Sequence, residues 1–417
     1  MSEPTPEIPT TPVDPTLGQR TVTAAQWRLA SAVAQALLQF GVGVLLARLL
    51  PPADFGLVAL ALVVVGLATL VADLGLGPAV IQRNDLTERH LRAAFTASVL
   101  LGCLLALVLI ALSSLLGPLL RSPELPAVLR LQSLLFVFGG LGVTARALLN
   151  RRLRASASFW ITLASYLVGY AGVSTVLALA GYGVWSLVWG ALMQALLESL
   201  LALAVVRPPL RPLWARVELR DLFGFGATAS LNSVVNYVAR NGDNLLVGRW
   251  LGEAALGLYG RAYNLMTLPL NYVGTLSQSV LFPAMSRIQD DRARLGRAYL
   301  AAVQVTALAA APVMAGMAAA APHLAVGLYG PAWAGLAVPL QVLCAAGLLR
   351  AVYHVAGPVS AATGNVGLEL RRQVVYALLV VALGFGGTRW GITGVAAGVT
   401  LAIAYMYFAM AAVALRL

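Results

Sequence analysis

Apolar stretches of about twenty residues or more recur along the whole chain, and they leave few folds open. A bilayer core of about 30 Å takes about 20 apolar helical residues to cross. Twelve stretches reach that length: 23–49, 55–78, 93–117, 127–148, 156–180, 183–205, 222–250, 253–280, 298–320, 332–357, 368–388 and 391–414. Inside hydrocarbon every backbone N–H and C=O must be paired within the protein, and for single runs this long a helix does so. Of the 417 residues 60% are hydrophobic and only 11% charged, too few charges to coat a soluble globule. Soluble enzymes, nucleic-acid binders and disordered chains are thereby excluded. The expected fold is an all-α integral membrane protein with twelve transmembrane helices. Turn signals punctuate it at Pro51-Pro52, Ser122-Pro123, Gly181–Gly183, Pro208-Pro209, Gly330-Pro331 and Gly386-Gly387, and no soluble domain fits between spans.

The formal net charge is +12, and all 28 basic residues are Arg. In a soluble protein that balance would point to nucleic acid; here it sorts by loop. Loops after even-numbered spans carry Arg83, Arg89 and Arg92; Arg151, Arg152 and Arg154; Arg207, Arg211, Arg216 and Arg220; Arg287, Arg292, Arg294 and Arg297; and Arg371 and Arg372. Loops after odd spans carry Arg48, Arg121 and Arg389. Cytoplasmic loops hold the excess of Arg, so both termini are expected in the cytoplasm. Residues 1–20 are rich in Pro and Thr, with Glu3, Glu7 and Asp14, and read as a disordered cytoplasmic tail rather than a signal peptide.

The chain also repeats itself. Arg48–Leu57 aligns with Arg249–Leu258 at an offset of 201, with Arg48/Arg249, Leu50/Leu251, Ala53/Ala254, Gly56/Gly257 and Leu57/Leu258 identical. Leu91–Phe95 resembles Leu295–Tyr299, and Leu131-Gln132 recurs as Leu340-Gln341. Three matches in the same order predict two pseudo-symmetric six-helix lobes. Six is even, so the lobes share one orientation and relate by an axis along the membrane normal, an arrangement found in alternating-access transporters. The expected boundaries are 21–206 for the N-terminal lobe, 207–221 for a cytoplasmic inter-lobe loop and 222–417 for the C-terminal lobe.

The run Asn236-Tyr-Val-Ala-Arg240-Asn-Gly-Asp243 through Arg249, continued by Gly257-Leu-Tyr259-Gly-Arg261-Ala-Tyr263, Leu268-Pro269 and Phe282-Pro283-Ala284, resembles the polysaccharide repeat-unit flippase family (Wzx type) of the MOP superfamily. So do Leu46–Gly56, Asp73–Gly77 and Ile81-Gln82-Arg83. The resemblance covers about residues 20–415 and implies a MOP/MATE-like fold. It also implies a cationic cavity for an undecaprenyl pyrophosphate-linked oligosaccharide, moved across a bacterial inner membrane for polysaccharide biosynthesis. A glycan polymerase or assembly complex is the implied protein partner. Many relatives carry extra C-terminal helices that these twelve spans lack.

Ionisable residues inside spans are costly and are functional candidates by default. Arg130, Arg146 and Arg249 lie near span ends, where a guanidinium can snorkel. Arg28, Arg240, Arg261 and Arg350 are the expected cavity charges, because planar N–H forks match phosphate oxygens. Arg240 and Asp243 stand three residues apart on one helix, with Asn232, Asn236 and Asn244 on or near the same side. That stripe is either an intrahelical ion pair or a cavity lining. At the aligned N-terminal positions stand Gln39 and Val42, so the stripe belongs to the second half only.

Asp73, Glu198 and Asp243 are the buried carboxylates available for proton or sodium coupling, with Glu198 equally a structural partner for an Arg. Tyr259, Tyr263 and Tyr272 read as an interfacial aromatic belt or as sugar-stacking rings. The Gly75/Gly77 and Gly140/Gly142 pairs read as close helix packing. Cys103 and Cys344 sit in apolar runs, and His90, His323 and His354 are scattered without ligand spacing, so no metal and no cofactor is expected. No Walker motif and no catalytic constellation appears, so the chain reads as a transporter and not an enzyme. Two other functions compete with flipping. A multidrug or small-metabolite antiporter would need acidic cavity residues, and a scaffold for glycan assembly would tolerate loss of the cavity Arg residues.

Overall fold

The computed structural model describes residues 34–72, 76–83, 85–152, 154–215, 227–276, 281, 285–288, 291–355 and 366–414. These residues are helical, without a strand among them. In chain order the helices are α1 (Ala34–Leu49), α2 (Pro52–Ala72), α3 (Leu76–Gln82), α4 (Glu88–Leu120), α5 (Leu125–Gln132), α6 (Leu134–Arg151), α7 (Ala155–Leu179) and α8 (Val184–Val206). They continue as α9 (Ala227–Leu251), α10 (Glu253–Leu276), α11 (Arg292–Leu324), α12 (Ala337–Tyr353), α13 (Val366–Gly387) and α14 (Gly391–Ala414). With α2/α3 and α5/α6 each read as one broken span, every expected stretch meets a helix.

Eight runs among the described residues are long and apolar enough to cross a membrane, and one of them, Arg371–Ala412, contains both α13 and α14. Of the other three spans, α1 is described over only 16 residues, and α9 and α10 are diluted by polar side chains. The chain is a multi-pass membrane protein.

Local chemistry sets the ends. Thr87 caps α4 by accepting from the His90 N–H at 3.4 Å. Turns after odd-numbered spans are short: Gly252 and Gly330 reverse the chain with φ of 88° and 101°, a conformation closed to most L side chains. Turns after even spans carry the Arg residues. There Arg151 donates to the carbonyls of Val80 (3.0 Å), Ile81 (3.2 Å) and Arg83 at the end of α3, and Arg92 donates to Arg211 O at 2.9 Å. Cations at a helix C-terminus are favoured by its dipole.

Lipid gives helices no hydrophobic reason to associate, so close packing must come from small residues. Gly102 and Gly140 let α4 and α6 cross backbone to backbone: a Cβ would lie 2.4 Å from Phe136 O and 2.5 Å from Ser98 O respectively. The expected packing role of Gly140 is therefore met. Among the described glycines the tightest fit joins the first turns of α2 and α10. A Cβ on Gly56 would sit 1.7 Å from Glu253 O, and one on Gly257 would sit 1.9 Å from Pro52 O. Position 52 aligns with 253, and 56 with 257, at the 201-residue offset. The contact is thus reciprocal, as a two-fold relation between the repeats requires.

Candidate functional site

The α2–α10 crossing forms a seam at the end of the molecule that holds the short turns. Three further contacts close it. Ser122 Oγ donates to Glu253 Oε1 at 2.5 Å. Arg48 donates through Nε to Leu328 O at 2.8 Å and through Nη2 to Gly327 O. Trp333 Nε1 donates to Ala47 O at 2.8 Å, and Trp333, only 1% exposed, stands edge-on to Phe55 with centroids 5.4 Å apart. Tyr329 tilts against the other side of Trp333 at 5.6 Å.

Arg261 lies beneath this aromatic group. Its guanidinium carbon is 4.2 Å from the Phe55 ring centroid and 5.7 Å from that of Tyr329. Nη1 approaches Gly43 so closely that a Cβ there would be 3.1 Å away. Helices α1, α2 and α10 and the Tyr329 segment therefore meet around one cation. Among the described residues Arg261 has neither a carboxylate partner nor a hydrogen-bond acceptor. Its N–H donors are therefore unclaimed by the described residues.

A second cluster lies wholly in the C-terminal half. Asp243 is 2% exposed and is held by two donors: Tyr259 Oη at 2.7 Å and the Asn244 N–H at 2.9 Å. Tyr259 is itself fully buried, and its ring lies 6.2 Å from that of Tyr263. Tyr263 Oη accepts from Arg350 Nη1 at 2.5 Å, and the Arg350 guanidinium also lies over the Tyr263 ring at 5.8 Å. An Asp243–Tyr259 pair between α9 and α10 thus lies beside a Tyr263–Arg350 pair between α10 and α12, and ring contact joins the two. These two tyrosines are interior, so the belt reading fails for them; Tyr259 lies six residues into α10, about 9 Å from its first residue.

The intrahelical ion pair between Arg240 and Asp243 does not form. Arg240 is exposed while Asp243 is buried, and no bond joins them. A separation of three residues leaves side chains about 60° apart around a helix, enough to send one toward Tyr259 and the other away. Asn236 is half-buried one turn before Arg240. The same helix is tied to α2 by Tyr237, whose Oη donates to Val63 O at 2.8 Å and fits because residue 66 is glycine.

Glu198 is half-buried and has no ion pair among the described residues, so it does not serve as an Arg's partner there. Arg28 and Asp73 lie outside the described residues, as does the side chain of Tyr272. Of the Arg residues expected to snorkel, Arg146 turns inward instead, donating to Gly139 O (2.8 Å) and Ser199 Oγ (3.2 Å). Arg130 donates to Ser113 and Ser114 on α4. Arg249 lies 5.0 Å from the Trp250 ring centroid, with Nη1 buried and unpaired among the described residues. Sequence reasoning missed Phe55, Tyr329 and Trp333. Their only signal was aromatic residues beside the turn positions.

Residues 45–338 match the model of a family described as polysaccharide biosynthesis proteins. The chain belongs to that family. The lipopolysaccharide biosynthesis protein WzxC of Escherichia coli K12 is 28% identical over 400 residues, covering 92% of this chain and 79% of that protein. The succinoglycan biosynthesis transport protein ExoT of Rhizobium meliloti is 32% identical over 323 residues, covering 77% and 65% respectively.

Two solved structures share the fold. A multidrug resistance MATE family transporter of the MOP superfamily in its inward-facing conformation superposes with a TM-score of 0.72 at 18% identity, over 92% of this chain and 94% of that one. The lipid II flippase MurJ in an inward closed conformation gives 0.71 at 14% identity, over 93% and 86%. The polysaccharide biosynthesis protein described here thus has the MOP transporter fold.

Proposed function

We propose that this family member is a flippase for a polyprenyl pyrophosphate-linked oligosaccharide. In this reading two six-helix lobes, residues 21–206 and 222–417 joined by 207–221, enclose a cationic cavity. The sugar and pyrophosphate occupy the cavity while the polyprenyl tail stays in lipid. The observation that carries the reading is Arg261: a guanidinium in the middle of the helical bundle, seated on aromatic faces, with no carboxylate to neutralise it among the described residues. Such a cation is costly inside a membrane unless an anion visits it, and a pyrophosphate matches its N–H fork. The names of the relatives support the same chemistry, one being a lipopolysaccharide biosynthesis protein and the other a succinoglycan biosynthesis transport protein.

The remaining roles follow. Arg350 and Arg240, with Asn236 and Arg28, complete the head-group contacts. Asp243, bound by Tyr259, is the leading coupling carboxylate, ahead of Glu198 and Asp73, because its tyrosine partner packs on Tyr263, which holds Arg350. The host membrane is a bacterial inner membrane with both termini in the cytoplasm, and a polymerase or assembly complex takes the product on the far side. The closed seam lies at the short-turn end, so the cavity is closed to the outside and loads from the Arg-rich cytoplasmic end. A ligand can shift the two states only by binding them unequally, and Arg261 is placed to do so because one ring of its seat, Phe55, comes from the other half and would part from it as the seam opens.

The test is transport in sealed proteoliposomes, with a fluorescent polyprenyl pyrophosphate oligosaccharide in one leaflet and an impermeant quencher on one side. Appearance of the glycan in the opposite leaflet is the expected result. Exchange of a cationic drug for protons without movement of the lipid would replace the reading with an antiporter.

A further inference from the structure

A second unneutralised cation lies in the N-terminal half, away from the seam. A cavity of about 150 Å³ opens between α2, α3, α4 and α6, and Arg146 forms part of its wall. That volume is roughly five waters' worth, enough for one tetrahedral oxyanion. Four glycines line it: Gly77, Gly102, Gly139 and Gly140. Arg146 spends two of its five N–H donors on Gly139 O and Ser199 Oγ. Neither acceptor carries charge, and among the described residues Arg146 has no carboxylate partner. Ser98, 5% exposed, lines the same cavity, and its Oγ is buried with no hydrogen-bond partner among the described residues. A buried hydroxyl left unpaired is destabilising. Arg146, with spare donors, and Ser98, with an orphaned hydroxyl, thus stand in the wall of one small space.

We propose that this cavity is a phosphoryl-binding site, with Arg146 as its charge and Ser98 as a neutral donor. An oxyanion there answers both deficits at once. It takes the spare N–H groups, neutralises the cation, and accepts from the serine. Sulfhydryls, metal cations and apolar ligands answer neither. Arg146 stands five residues before the end of α6, about 8 Å from the Arg-bearing end. The site therefore lies in the half of the membrane that faces those loops. Two sources can supply the phosphoryl group: the pyrophosphate of the transported lipid, or the phosphate of an anionic phospholipid. Assigning the first as native occupant rests on the flippase reading; the site itself does not.

The test uses the full chain in phosphatidylcholine nanodiscs, titrated with farnesyl pyrophosphate and read by native mass spectrometry. Two variants attack the site differently. Arg146→Gln removes the charge. Gly139→Leu keeps the charge and fills the cavity, at a position where an added Cβ meets nothing within 4 Å; Gly139→Ala controls for the backbone change. We expect Arg146→Gln and Gly139→Leu each to bind at least tenfold more weakly, Gly139→Ala to bind within threefold of the parent, and the double variant to lose no more than either single one. Melting temperatures identify any variant that fails to fold, and the second variant then carries the test. Competition by phosphatidylglycerol in the nanodisc would identify a phospholipid as occupant, and its absence the pyrophosphate.

Equal binding by the parent, Arg146→Gln and Gly139→Leu would overturn the site, as would absence of binding to the parent. The two readings separate in proteoliposomes. If the parent flips the glycolipid while the site variants bind and flip like it, the phosphoryl site falls and the flippase stands. If binding depends on Arg146 but no lipid moves, the site stands and the flippase falls.

Discussion

Helices α2 and α10 cross as reciprocal copies of one another in their first turns, and from the next turn onward their side chains differ. Pro52 and Gly56 meet Glu253 and Gly257 in one shared backbone geometry. At the same 201-residue offset, Val58 and Leu60 of α2 stand where α10 has Tyr259 and Arg261, and Val42 of α1 stands where α9 has Asp243. Val42 and Val58 pack on an apolar cluster with Leu46 and Leu50, and Leu60 is fully buried. In the C-terminal half the same positions hold a hydrogen-bonded carboxylate and a cation seated on rings. The repeat thus preserves what lets two helices touch and varies what faces the ligand. A pseudo-symmetric frame carrying asymmetric chemistry suits a substrate with one charged head and one apolar tail.

The comparison breaks most visibly at the glycines. Gly56→Ala and Gly257→Ala each push a Cβ into a carbonyl of the partner helix, so each is expected to cost about 3 kcal/mol, the upper range for overpacking. The losses should match within experimental error, read as detergent-solubilised melting temperature or as the monodisperse fraction. Unequal losses would mean that the crossing is not the shared element.

Next in size comes the pair that differs. Tyr259→Phe strips the buried Asp243 of its hydroxyl donor and is expected to cost about 2 kcal/mol. Adding Asp243→Val, the residue at the aligned N-terminal position, should recover most of that loss, because removing both partners leaves no unpaired charge. A double variant less stable than Tyr259→Phe would show that the carboxylate has other essential partners.

The frame was legible because its signals are local. Span lengths and loop Arg residues are each readable within about twenty residues, and the Arg48–Leu57 repeat needs only two short segments set side by side. The site was legible only in part. Arg261, Arg350 and Asp243 stood out as charges in apolar runs, but their partners come from elsewhere: Phe55 from α2, Tyr329 and Trp333 from the turn before α12. Helical spacing set Arg240 beside Asp243 yet could not say which of them faced α10. Arg146 read as a snorkelling residue because depth was judged from its distance to the helix end. The acceptors that turn it inward are Gly139, two turns back on its own helix, and Ser199 on α8.

The smallest effect separates the aligned arginines. Arg48 is latched to the carbonyls of Gly327 and Leu328, while Arg249 makes no hydrogen bond among the described residues. Arg48→Gln is expected to destabilise by about 1 kcal/mol, as loss of a hydrogen-bonded group does, and Arg249→Gln by about 0.5 kcal/mol or less. Melting curves of the two variants, side by side, check the order.

The central claim is that the C-terminal half supplies the charge that the N-terminal half lacks at the same place. Arg261→Leu tests it most directly, since it writes the N-terminal residue, Leu60, into the C-terminal position. In the quenching assay of lipid-linked oligosaccharide movement, the variant is expected to fold and insert like the parent and to lose at least 90% of the initial rate, roughly the tenfold that 1.4 kcal/mol of lost transition-state stabilisation gives. A folded Arg261→Leu protein that moves the glycolipid at the parental rate would contradict the account.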